Sequence, residues 1–354
     1  MQKSHISYFT ANCVTKLFGI LPDGKKVYSY TLSNGNGMEA TFINYGATTT
    51  SLNIIGTDGT KTDVVLGFND IDDYIDAFNL PSAPYFGSVI GRYAGRINNG
   101  AFTIDGEKYQ LNKNHGAHTL HGGNTGFGRA FWTMKQLKGG LNPSITFTYT
   151  SRDGEEHFPG ELTVNVTYTL TGDNELLVDY TATTTKDTVI NLTQHSYFNL
   201  DGHSQTVSGQ ELFVKSGKVL ALDADNIPTG EFITVKDTAI DFNEGGSVPS
   251  SIDTSFVLEN NNEPAATLYS ATTGLKMTVY TNQPSVHIYV GGNCFGSIQG
   301  KEGASYHTTS GICFEMQNFP DAPNHPHFPT SVLRKGEQYK HNTKFAFSRL
   351  NKAL

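Results

Sequence analysis

Four short stretches of this 354-residue chain hold side chains able to trade protons or grip polar ligands. NLTQHSYFNLDG (residues 191–202) carries His195 ahead of a closing Asp-Gly turn. HTLHGG (118–123) carries His118 and His121 and ends in two glycines, which let the backbone turn tightly. GRYAGRI (91–97) sets Arg92 and Arg96 four apart beside small residues. CFEMQNFPD (313–321) places Glu315 between Phe314 and Met316. On a strand, Glu315 faces away from those two and shares a side with Cys313 and Gln317. A carboxylate in such company is partly buried, and burial favours its protonated form. Histidine and a buried carboxylate exchange protons near neutral pH, so acid–base catalysis is the chemistry they could carry. Each also has an ordinary reading: a surface glutamate, or a histidine or arginine that ties loops together.

The elements that must position them are strands. Ser144–Ser151 (SITFTYTS) and Leu162–Leu170 (LTVNVTYTL) alternate apolar and polar residues, as half-buried strands do. The polar RDGEEHFPG between them is a loop with Asp-Gly and Pro-Gly breakers. FTIDGEKYQL (102–111) is a hairpin pattern about Asp105-Gly106. Further strands are expected at 175–185, 41–43, 276–281, 285–290, 311–317 and 343–348. Helix signals are weak; the best is IDDYIDAF (71–78), with acidic residues early, where they suit the helix dipole. No Pro/Ser-rich linker splits the chain and no repeat of 20–50 residues is visible, so residues 1–354 read as one domain. The fold class expected is all-β, a large antiparallel β-sandwich.

Composition agrees and narrows the function. Charged residues are only 16%, while Gly reaches 37 and Tyr and Phe are 17 and 22, a strand-and-turn composition. Net charge is −8 with six arginines and no basic run, which excludes phosphate-backbone binding and argues against nucleic acid as a partner. Cys13, Cys294 and Cys313 are too widely spaced for a zinc signature or a disulfide framework, so buried, reduced thiols are expected. The first residues, MQKSHISYFTANC, lack the apolar core of a signal peptide, and no run approaches a membrane span. A soluble, cytoplasmic protein without a membrane partner is the expectation.

Taken in order, GRYAGRI, LHGG, NLTQHSYFNLDG, NQPSVHIY and FEMQNFPDAPN resemble the aldose 1-epimerase (galactose mutarotase) family. The resemblance runs end to end, from FINYGATTTSL and DVVLGFND through GEEHFPGELTVNVTYTL and DNIPTGE to HFPTSVLRKGEQYKHNTKFAFS. It implies a β-supersandwich and interconversion of the α and β anomers of free aldohexoses. It also implies roles. Glu315 matches the general base, His195 the general acid and His121 a second histidine at the sugar. Arg96, Asp253 (in SSIDTSFVL) and Gln283 (in TNQPSVHIY) match sugar-binding residues. Gly95 departs from the pattern, because the family carries Asn just before the arginine. The missing side chain implies a lost sugar hydrogen bond and some spare room. Tyr197 or Phe314 could wall the pocket, though core packing suits either.

The implied reaction needs one acid and one base. The base takes the anomeric proton, the acid protonates the ring oxygen, the C1–O5 bond opens, and the ring recloses on the other face. Neither a metal nor an organic cofactor is required, and the partner is a monosaccharide. The enzyme is expected as a monomer or homodimer. Rival readings remain at this point. Glu315 and Asp253 could be a glycosidase pair, or the pocket could belong to a non-catalytic sugar-binding protein or a hexose-6-phosphate epimerase. A metal site at His118 and His121 is disfavoured, since on a strand they point to opposite faces.

Overall fold

A computed structural model describes residues 13–259, 263–293, 296 and 298–350. Cys294 and most of the N-terminal stretch read above lie outside the described residues. Three antiparallel sheets dominate. A nine-stranded sheet contains Ser144–Ser151, Leu162–Leu170, Glu175–Thr184, Tyr339–Arg349 and Leu275–Thr281 as its middle. A five-stranded sheet runs in simple meander from Cys13–Ile20 to Lys61–Asp63. A six-stranded sheet contains Tyr197–Phe198, Ile312–Gln317, Ser285–Val290 and Ile252–Val257 as consecutive neighbours, then Lys218–Leu222 and Pro228–Thr234. The fold is a large antiparallel β-supersandwich.

One contiguous core joins the sheets. Val164, Val166, Tyr168, Val178 and Phe345 from the nine-stranded sheet meet Phe42 and Leu52 from the five-stranded one, and Val286, Ile288, Phe314 and Met316 from the six-stranded one. The alternation of Leu162–Leu170 is followed without a slip, every second residue being buried. Such strict period-two burial fixes register, because a one-residue shift would turn the whole apolar set toward water. Phe42 stacks on Tyr168 with centroids 4.3 Å apart, linking two sheets through aromatic surface.

The helix Ile71–Phe78 forms where expected. Asp70 caps it by accepting the Asp73 N–H at 3.0 Å, and Ile71, Tyr74, Ala77 and Phe78 supply its buried face. It is the only α-helix among the described residues, and no described helix is long and apolar enough to cross a membrane. Sequence patterning did not mark Lys26–Ser33 or Thr48–Ile55 as strands. In the second of these, Thr48, Thr49 and Thr50 are all buried, so a polar-looking run sits inside.

Candidate active site

The six-stranded sheet turns one face toward a cavity of about 520 Å³. Alternate residues of three neighbouring strands line it: Glu315 and Gln317, then His287 and Tyr289, then Asp253 and Ser255. Register places Ser255 opposite His287 and His287 opposite Glu315, so these three form a row across the sheet. The intervening Phe314 and Met316 point into the core, as period two requires.

Loops supply the rest. The His195 backbone is held on both sides: its N–H donates to Ser88 O and its C=O accepts from Gly87 N–H, each at 3.0 Å. Asn191, fully buried, knots three segments. Its Nδ2 donates to Ala94 O at 3.0 Å and Asn318 O at 3.1 Å, and its Oδ1 accepts the Asn318 N–H at 2.8 Å. One amide thereby fixes the loop of Arg96, the segment of His195 and the end of the Glu315 strand. The sequence gives no sign of this role beyond a polar residue beside a strand.

The acid and base candidates meet. His195 Nε2 lies 3.5 Å from Glu315 Oε1, with both side chains nearly excluded from solvent. His195 Nδ1 lies 3.6 Å from Cys313 Sγ, and the ring stacks on Tyr197 and leans against Tyr85. Tyr85 and Tyr289 line the cavity, whereas Phe314 packs in the core. His121, with φ of +52°, accepts the Gly95 N–H at Nδ1 (3.2 Å) and donates its own N–H to Gly95 O (3.1 Å). Burial, with His195 and Arg96 nearby, pushes its pKa well below the ordinary histidine value. His121 is therefore a neutral ring with Nδ1 occupied and Nε2–H left as a donor.

A nitrogen from each of these histidines and a Glu315 oxygen lie within 4.8 Å of one another. That spacing would suit a cation, but the donor chemistry does not. A ligating histidine gives one lone pair and donates its other N–H to an acceptor. His121 does the reverse, because its Nδ1 lone pair is taken by a backbone N–H. The convergent atoms fit proton traffic instead.

Three buried polar atoms of cavity-lining residues have no hydrogen-bond partner: Arg96 Nε, Glu315 Oε2 and Gln317 Oε1. Each such orphan costs about 1–3 kcal/mol, so three around one cavity mark a place for polar ligand atoms. Arg92 also leaves its Nε without a partner, but it lies off the cavity lining and its other nitrogens are committed. It is buried and donates to the carbonyls of Pro159 and Gly160 (both 2.9 Å) and Arg152 (3.1 Å), a structural task. His118 accepts the Asn99 N–H and faces Asp225 at 3.7 Å, outside the cavity lining.

A profile of the aldose 1-epimerase family matches residues 28–346. Galactose mutarotase of Homo sapiens is 40% identical over 349 residues, covering 96% of this chain and 99% of its own. Aldose 1-epimerase of Escherichia coli K12 is 33% identical over 345 residues, covering 93% and 97%. The crystal structure of galactose 1-epimerase from Lactobacillus acidophilus superposes with a TM-score of 0.84 at 25% identity, covering 96% of this chain and all of the other. The chain belongs to the aldose 1-epimerase family. Its activity is that of an isomerase acting at the anomeric carbon of an aldose.

Of the residues carried over from the aldose 1-epimerase pattern, Glu315, His195, His121, Arg96 and Asp253 gather at the cavity. Gln283 does not. It sits in the turn before Ser285–Val290, with its Nε2 bonded to Asn282 Oδ1 at 2.9 Å. It precedes His287 by four residues in the chain, across that turn. His287, overlooked in the same NQPSVHIY stretch, occupies the cavity, as does Gln317; stepping by two from Glu315 along the strand and across to its partner finds both. The spare room expected at Gly95 is also absent. A Cβ there would stand 2.9 Å from Pro320 Cγ, and φ is +78°.

Proposed function

We propose that the enzyme interconverts α and β anomers of free aldohexoses, glucose and galactose among them, with Glu315 and His195 moving the protons. The observation that carries this reading is the convergence of Glu315 and His195 at 3.5 Å on a cavity edged with orphan polar atoms. Glu315 takes the proton of the anomeric hydroxyl while His195 gives one to the ring oxygen. The C1–O5 bond opens to the aldehyde, C1 turns about C1–C2, and reclosure returns both protons. Each group ends as it began, and each transfer contributes roughly 10²–10⁴-fold.

The other residues bind. His121 offers Nε2–H to a sugar oxygen in a fixed, neutral state. Arg96 offers its guanidinium, and Asp253 accepts from a hydroxyl. The partner is one free monosaccharide, and the chain works as one domain, in a monomer or homodimer, in the cytoplasm. No metal or cofactor enters, a reading supported by the lone-pair use at His121. A glycosidase reading would pair Glu315 with Asp253, but His287 stands between them on the intervening strand. Polarimetry of fresh α-D-glucose and α-D-galactose tests the proposal: the protein speeds the approach to equilibrium, with or without a chelator. Release of sugar from aryl glycosides without such acceleration would favour the hydrolase.

A further inference from the structure

His287 makes two short contacts at the cavity floor. Its Nε2 lies 2.9 Å from Asp253 Oδ1, and its Nδ1 lies 2.8 Å from Ser255 Oγ. All three line the cavity, and the ring is well buried, with 14% of the side chain exposed. Both ring nitrogens are engaged, so His287 has no free polar atom for a sugar. The other Asp253 oxygen has no hydrogen-bond partner among the described residues.

We propose that His287 is a positioning residue for substrate binding: with Ser255 behind it, it locks one oxygen of Asp253 and leaves the other aimed to accept a single sugar hydroxyl. This inference rests on the sugar-epimerase reading above. Ser255 suits the task because a hydroxyl both donates and accepts. It accepts from Nδ1–H when the ring is charged and donates to bare Nδ1 when the ring is neutral. In either state Nε2–H stays on Asp253. Electrostatics agree. Burial alone would lower the His287 pKa, but Asp253 and the facing Glu315 overcome it and raise it above the ordinary value. Burial likewise opposes charge on Asp253, yet His287 and then Arg96 hold it ionised, at about 2. Two rotatable bonds of an aspartate are thereby frozen before the sugar arrives, which lowers the entropy cost of binding.

The test uses galactose and its monodeoxy series on wild type, His287→Ala, His287→Gln and Asp253→Ala. In wild type one deoxy sugar loses at least about tenfold in kcat/KM, as expected for a hydrogen bond to a charged group. In Asp253→Ala that penalty vanishes. In His287→Ala it shrinks below about threefold, through KM, with kcat held within about threefold. His287→Gln keeps an N–H donor and restores most of the penalty. A His287→Ala enzyme that keeps the full deoxy penalty overturns the inference, as does one that loses kcat and KM alike for every sugar. Should His287→Ala not fold, a His287→Gln enzyme with no deoxy discrimination would also overturn it. Absence of mutarotation in wild type would instead sink the epimerase reading on which this stands.

Discussion

Two of the buried histidine–carboxylate clusters among the described residues differ in where their unsatisfied atoms lie. At Asp63, Lys301 Nζ lies 2.6 Å from Oδ2 and donates also to Thr50 O (2.6 Å) and Val65 O (3.0 Å), which uses all three of its protons. His203 Nε2 stands 3.5 Å from the same oxygen, and its Nδ1 meets Tyr306 OH at 2.9 Å. At Glu315, the histidine contact is equally long, but the second carboxylate oxygen, Gln317 Oε1 and Arg96 Nε have no partner. In the first cluster His203 Nε2 is the atom left without a hydrogen-bond partner, no described cavity opens on it, and the group joins segments 63–67 and 301–306. The second stays open toward a cavity. A histidine–carboxylate pair does not by itself mark catalysis; unsatisfied atoms that share a space with it do.

The comparison breaks most sharply under substitution. Glu315→Gln keeps shape and removes the base, so kcat falls by about 10²-fold or more. Its urea midpoint stays near wild type, because no partner is orphaned. Lys301→Met should do the opposite. It leaves Asp63 buried without its cation, at a cost of about 3–5 kcal/mol, while kcat of the folded enzyme stays within about threefold. Urea unfolding and polarimetry on both variants decide. A Lys301→Met protein with wild-type stability, or a Glu315→Gln protein with wild-type turnover, would erase the distinction.

Acid should reach the two clusters differently. Burial opposes charge on Asp63, but Lys301 and His203 outweigh it and hold the carboxyl well below the usual carboxylate range. A depressed folded pKa gives stability that is present above the unfolded value, ~4, and is lost as pH falls toward the folded one. The Lys301–Asp63 cluster therefore weakens stability only in strong acid. At the cavity, burial opposes charge on Asp253, but His287 and then Arg96 hold it at about 2, so KM for the sugar should change little as pH falls toward ~4 and rise only as Asp253 itself takes up a proton. His195→Asn removes the acid and should cost most of the rate, about 10²-fold or more in kcat. A His195→Asn enzyme with near-normal kcat by polarimetry would move the acid role elsewhere.

Much of this was legible in residues alone, for a physical reason. Period-two burial announces strands, so Ser144–Ser151, Leu162–Leu170, Ser285–Val290 and the helix Ile71–Phe78 are found at the expected bounds. The same rule placed Glu315 beside Gln317 and away from Phe314. Pairing across strands is what a single sequence does not carry. His287 is opposite Glu315 only because Ser285–Val290 registers with Ile312–Gln317 as it does. Asn191 matters only because Ala94 and Asn318, nearly a hundred residues or more away in the chain, meet it. Gln283, carried over from the family pattern alone, falls in the turn before Ser285–Val290, and a motif match does not say where a strand begins.

The smallest effect concerns Gly95, where sequence and structure disagree about the sign. An added asparagine would supply a sugar contact if there were room for it. Asparagine is among the residues that tolerate a φ of +78°. The obstacle is Pro320, whose Cγ and Cβ stand 2.9 and 3.0 Å from where a Cβ would be. A proline ring cannot swing aside as a long side chain can, so the Gly95 backbone must give way. That backbone holds His121 through two hydrogen bonds, one to Nδ1 and one from its N–H. Displacing it loosens His121, and one neutral hydrogen bond weakened by about 0.5–1.5 kcal/mol corresponds to about 2–13-fold. Gly95→Asn should therefore raise KM for galactose several-fold, and Gly95→Ala, which adds the Cβ without the amide, should raise it at least as much. If Gly95→Asn lowers KM while Gly95→Ala raises it, Pro320 yields and the amide reaches the sugar, and the glycine is a lost contact after all.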